Sequence, residues 1–299
     1  MSGGGWLSDL RGRLFTMLSG HPQGIPAWVD ALQNGDDEGF FGPESAVWAV
    51  HGGIPVLVAG MRALLLQTLH PGAMAGVHDW SRYREDPLGR LNGTVRWVLV
   101  TSFGTREQAE AACRMVGRLH ERVKGSYERD GQATEYSAGD PRLLSWVHVA
   151  FTDSFLRCHE TWGSGIPGGA DRYVDEWSAA GELMGVANPP HSEAELVEQL
   201  AAFDAELVSD QRVRDAVVFL RRPPLDRATG FGYRIIFAGA VSTLPVKYRR
   251  MLGVRRPWWP AITTTRLLLW LVGRLLGRPS TSEKYARRRV ARLEAVADA

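Results

Sequence analysis

Cysteine is scarce in this chain. Cys113 and Cys158 are the only two, so no disulfide framework holds the fold, and the usage fits a reducing compartment. The start, Met1-Ser2-Gly3-Gly4-Gly5, lacks the basic and apolar regions of a secretory signal. Long apolar runs are also missing. The strongest, Leu267 to Val272, is flanked by Arg266 and Arg274 and falls short of the roughly 18 residues of a membrane span. A soluble or peripheral cytoplasmic protein is expected. Net charge is only +2, which gives no argument for a nucleic-acid partner.

Several cofactor and catalytic signatures are absent as well. Without Cys-x-x-Cys-His there is no c-type covalent haem attachment. His120-Glu121 and His159-Glu160 lack the second histidine of His-Glu-x-x-His. No Glu-x-x-His occurs, against a ferritin-like di-iron bundle. No Gly-x-Ser-x-Gly elbow is present, and Gly230-Phe231-Gly232 follows no strand pattern. Among metal centres, non-covalent haem is the one left most open.

What is present is an ordinary globular balance, 44% hydrophobic and 23% charged, over 299 residues, enough to bury a sizeable core. Eleven tryptophans spread over the whole length either fill that core or wall a flat apolar pocket. Apolar residues recur with a 3.6-residue period, and alternating strand patterns are nearly absent. The fold class expected is all-α, a single-domain helical bundle. Helices are expected at 6–19, 44–50, 54–69, 87–102, 105–123, 141–162, 169–184, 192–207, 210–220, 226–242, 260–276 and 281–297. Asp86-Pro87 and Asp140-Pro141 each join an N-cap carboxylate to a proline whose φ is already helical. Ser192 with Glu195 reads as a capping box.

The helix from Pro141 places Leu144, His148, Phe151 and Phe155 on one face. A buried imidazole needs a partner for each nitrogen, and either a backbone carbonyl or an iron atom serves. On the helix from Pro87, Arg90 and Thr94 lie one turn apart, with Trp97 and Thr101 further along. Inside an apolar bundle such donors need something polar to hold, such as a propionate, dioxygen or a local acid. Arg234, Lys247, Arg249 and Arg250 are further cations for a buried carboxylate.

The run Gly42-Pro43-Glu44-Ser45, Leu64-Leu65-Leu66-Gln67-Thr68-Leu69-His70-Pro71, Asp86-Pro87-Leu88-Gly89-Arg90-Leu91-Asn92-Gly93-Thr94, Phe103-Gly104-Thr105-Arg106-Glu107, Tyr136-Ser137-Ala138-Gly139-Asp140-Pro141, Leu143 to His148 and Asp153-Ser154-Phe155 carries a resemblance. In order and spacing it resembles the family of bacterial latex-clearing rubber oxygenases and fungal MpaB-type oxygenases. The resemblance reaches roughly Leu252, more weakly after residue 190. It implies a helical bundle enclosing one b-type haem, with His148 as the iron ligand and Arg90 and Thr94 on the distal side. It divides the chain into an N-terminal extension (1–40), a haem-binding domain (41–255) and C-terminal helices packed on that domain (256–299).

Phe151 and Trp97 are then expected beside the cofactor, with Arg234 or Arg249 holding a propionate. Two departures stand out. The rubber oxygenases carry a lysine before the distal threonine, where Gly93 stands here. Their distal glutamate has no counterpart in Gly72-Ala73-Met74-Ala75-Gly76, so polyisoprene cleavage is not expected. His70 and His78 lie on that segment as candidate distal bases, His78 in an expected loop. The function expected is oxygenation or dehydrogenation of a hydrophobic small molecule, with dioxygen as the candidate co-substrate. The alternative is a non-catalytic lipid- or terpenoid-binding protein that touches a membrane surface through the segment from Trp258 to Leu276.

Overall fold

The computed structural model describes residues 12, 25–81, 87–129, 131–223, 227–277 and 279–298, without the side chains of residues 87, 88, 90, 91, 227 and 228. Apart from Gly12, the expected helix at 6–19 lies outside the described residues, as does the Asp86 cap. The described chain is mostly helical. A short helix α1 (Ala27–Asp30) runs into a 3-10 turn (Ala31–Gln33). Then come α2 (Ala46–His51), α3 (Val56–Gln67), α4 (Pro71–Trp80), α5 (Pro87–Phe103) and α6 (Arg106–His120). A two-stranded antiparallel hairpin, β1 (Lys124–Arg129) and β2 (Gln132–Ser137), precedes α7 (Pro141–Trp162). The rest is α8 (Gly169–Leu183), α9 (Glu193–Ala202), α10 (Gln211–Arg221), α11 (Arg227–Thr243), α12 (Val246–Met251), α13 (Ala261–Leu276) and α14 (Thr281–Ala297).

The spine is α7. Its start follows from Asp140, whose carboxylate accepts from the backbone N–H of Arg142 (2.7 Å) and Leu143 (3.3 Å). Helix α3 packs along it, and α8 and α9 flank it. Where α3 meets α7, the buried Arg62 guanidinium lies 2.6 Å from Asp153, an ion pair in which the N–H is not aligned for a hydrogen bond. The same Nη1 donates to Ser154 Oγ at 2.9 Å. Helix α14 packs on the N-terminal turns through fully buried Arg289, which donates to the carbonyls of Leu32, Phe103 and Glu38.

Three expectations are corrected. The chain is not purely α-helical, because β1 and β2 pair from Lys124↔Ser137 to Arg129↔Gln132. Gly131, just before β2, takes φ +78°, a left-handed conformation that glycine adopts without strain. His78 does not sit in a loop but in the last turn of α4. The capping box at Ser192 is only half formed: Ser192 accepts from Glu195 N–H, while Glu195 reaches past it to His191 N–H. The complete box is at Thr105 and Gln108.

The Gly72–Gly76 segment is explained by the hairpin. Gly72, Ala75 and Gly76 give α4 a small-residue face, and Tyr127 and Tyr136 lie against it. Tyr136 donates to Asp79, and Trp80 Nε1 donates to the Lys124 carbonyl.

Candidate functional site

Three helices meet beside His148. From α7 come His148, Phe151 and Phe155, all buried. From α8 come Tyr173, Trp177 and Gly181, spaced i, i+4, i+8 and so on one face. From α5 comes Trp97, at i+3 from Thr94 on the same face. Phe151 stacks on Phe155 with centroids 3.9 Å apart and on Trp177 at 5.5 Å. Trp97 meets both Phe151 (6.2 Å) and Trp177 (6.0 Å) edge-on. Its indole N–H donates to Cys113 Sγ.

The His148 ring lies against Gly181, in space that a side chain there would fill. Its Nε2 is buried and has no hydrogen-bond partner among the described residues. Burial alone lowers its pKa to about 4, so the ring is neutral at physiological pH with a lone pair to give. The ring is thus not tied to main chain through Nε2. An orphaned, neutral imidazole nitrogen is costly unless something coordinates it. It fits the donor that a haem iron requires.

A second histidine, His51 of α2, joins the same cluster; its ring contacts Phe151, Phe155, Tyr173 and Trp177. Its hydrogen bonds fix the tautomer. Ser102 gives its hydroxyl proton to the Val98 carbonyl at 2.7 Å, so its oxygen accepts from His51 Nδ1–H at 2.6 Å. His51 Nε2 then accepts from the Tyr173 hydroxyl at 3.1 Å. Burial, with a smaller contribution from His159, lowers the His51 pKa to about 3. Sequence reasoning missed His51, Tyr173 and Gly181. The 173/177/181 spacing was the signal available for the last two.

The remaining nominated residues disperse. Thr94 is exposed on α5, and the Arg90 side chain lies outside the described residues. His70 is the N-cap residue of α4; its Nε2 faces Glu206 at 3.4 Å and its buried Nδ1 has no partner among the described residues. Burial, outweighing the help from Glu206, lowers its pKa. His78 is half-exposed and bonds to Asp79 at 3.0 Å. Arg234 donates to the Gly230 carbonyl of its own helix, and Arg249 to the Leu244 carbonyl. Lys247 pairs with Asp204. These contacts do not bring the cations to His148. Cys158 is fully buried, and burial pushes its thiol up to about 12, which keeps it an inert apolar residue.

A mostly helical fold with a buried, neutral histidine whose Nε2 has no partner among the described residues is the setting in which the family comparison falls. Comparison with protein-family models matches residues 48–278 to the catalytic domain of the ER-bound oxygenase mpaB/B' and rubber oxygenase family. That span covers α3 to α13, and the chain belongs to this family of oxidoreductases. No curated protein and no solved structure matched.

Proposed function

We propose that the protein is a haem b-dependent oxidoreductase acting on a hydrophobic small molecule, in which His148 would hold the iron. Family membership supports oxygenase chemistry, with dioxygen as the natural co-substrate. The single observation that carries the residue assignment is the buried, unpaired Nε2 of His148. Bound haem supplies an iron centre for one-electron and dioxygen chemistry.

The chain's own residues do the following. His148 presents a neutral nitrogen, and Gly181 leaves the ring its place. Phe151, Trp97 and Trp177 exclude water from that side and keep the local dielectric low. Arg90 and Thr94 are the donors that the family resemblance implies for bound oxygen or substrate; Thr94 is exposed on α5. His78, bonded to Asp79 and reaching solvent, is the better placed of the two α4 histidines to move a proton; His70 is held among Trp146, Phe203 and Glu206. Gly93 and the Gly72–Gly76 segment offer neither lysine nor glutamate, so the substrate proposed is not polyisoprene. Arg234 or Arg249 holding a propionate requires either cation to leave its present carbonyl.

The test is an optical spectrum of protein expressed with haem supply. A Soret band is expected, with bound haem lost in His148→Ala. A His148→Ala protein that keeps full haem and an unchanged spectrum removes the ligand assignment.

A further inference from the structure

Charge is unevenly divided along the chain. Residues 227–282 hold ten arginines and lysines and no aspartate or glutamate; the rest holds twenty-five basic against thirty-three acidic residues. A net charge near zero therefore hides one strongly cationic segment. Within it, α13 turns Ala261, Thr265, Leu269 and Val272 inward, and packs on α11. A helix with one buried stripe normally presents polar residues to water. The outward stripe here is Arg266, Leu267, Trp270, Leu271 and Arg274. Leu267 and Trp270 are more than half exposed. Just before the helix, Trp258 is 96% exposed beside exposed Arg255 and Arg256. A cleft of about 610 Å³ opens next to the stripe, lined by Ile54, Pro55, Trp162 and Trp270 with Arg266 and Arg274.

We propose that the outward face of α13 and the Trp258 loop dock on an anionic lipid membrane. Indoles, leucines and arginines together, without a carboxylate, are what a helix lying in the headgroup plane requires. The arginines meet lipid phosphates while the indoles and leucines enter the acyl boundary. At 16 residues α13 lies on the surface rather than crossing, and among the described residues no helix is long and apolar enough to span. A protein partner would anchor on aromatic residues seated in packed pockets, whereas Trp258 stands alone in solvent. The proposal does not depend on haem.

The experiment is flotation of the full chain with vesicles of phosphatidylcholine alone or mixed with about one-third phosphatidylglycerol. Flotation with the anionic vesicles is expected, falling severalfold when salt rises from about 0.1 to 0.5 M. Each arginine near such a surface contributes roughly fivefold in partition, so Arg255→Glu/Arg256→Glu is expected to lower it more than about tenfold. Trp258→Ser/Trp270→Ser is expected to abolish it, and thermal melts of both variants should match the parent. Flotation that is absent, equal on both vesicles, or unchanged in either variant overturns the proposal. So does a dimer in light scattering that the tryptophan variant dissociates, which assigns the face to a second copy.

Discussion

Gly181 on α8 seats the imidazole of His148 on α7. A Cβ at residue 181 would lie 2.9 Å from His148 Cε1 and 3.1 Å from both ring nitrogens. Alanine is a better helix former than glycine by ~1 kcal/mol, yet overpacking a filled core costs ~1–3 kcal/mol. Gly181→Ala is therefore expected to lower stability by ~1–2 kcal/mol in urea unfolding. In a His148→Ala background the ring is gone, and the same substitution should become neutral or stabilising. A double-mutant cycle measures the difference directly, and strict additivity would remove the contact from the account.

The Arg62–Asp153 pair joins α3 to α7 inside the core, and its partners are unequal. Asp153 has a second cation, Arg157, at 3.3 Å, whereas among the described residues Arg62 has Asp153 and Ser154. Asp153→Leu leaves a buried guanidinium without its counter-charge and is expected to cost ~3–5 kcal/mol. Arg62→Met leaves Asp153 its contact with Arg157 and should cost less. The double variant should recover most of the loss, because apolar replacement of a whole buried pair is often neutral. Denaturant midpoints for the three proteins test the order; equal single-variant losses would contradict the role given to Arg157.

Much of this fold was legible in the sequence because its helices carry strong local signals. Asp140-Pro141 and the apolar period after it located α7 to the residue. The hairpin was not found, although Asp130-Gly131 lies between Glu128-Arg129 and Gln132-Ala133-Thr134. Its strands are short and mostly exposed, so hydrophobic periodicity, the signal used, was weakest there. The α4 helix was missed because Pro71 and two glycines read as a break, whereas the small residues are there to admit the hairpin's tyrosines. At the candidate site, face periodicity put His148 and Phe151 on one side of α7, and Trp97 packs against Phe151. His51 was not found, because its partners Ser102 and Tyr173 lie 51 and 122 residues away.

Two buried histidines with lowered pKa values make stability depend on pH with a definite sign. His148 and His51 titrate near 6.5 when unfolded, but at about 4 and about 3 in the fold. Between those values the unfolded chain binds more protons than the native one, so stability rises with pH. The contribution is fully present above about pH 6.5 and is lost as pH falls toward 4 and then 3. Melting temperature is expected to fall steeply from pH 6.5 to 4, and His51→Gln should flatten the slope. A melting temperature constant across that window would contradict neutral burial.

The chain Tyr173–His51–Ser102–Val98 commits every proton in one direction, and this gives the last prediction. His51 must carry its proton on Nδ1, because the Ser102 proton is already given to Val98. Nitrogen NMR should therefore show His51 Nε2 as an unprotonated acceptor at neutral pH. Tyr173→Phe removes the donor to Nε2 and leaves a buried lone pair, at a cost of ~1–2 kcal/mol. Ser102→Ala removes the acceptor instead. The ring then escapes by moving its proton to Nε2 and donating to the Tyr173 oxygen, which orphans the tyrosine proton. A switch of the His51 signal to the Nε2–H tautomer is thus expected in Ser102→Ala and not in Tyr173→Phe. An Nε2–H ring in the unaltered protein would reverse the direction of the whole relay.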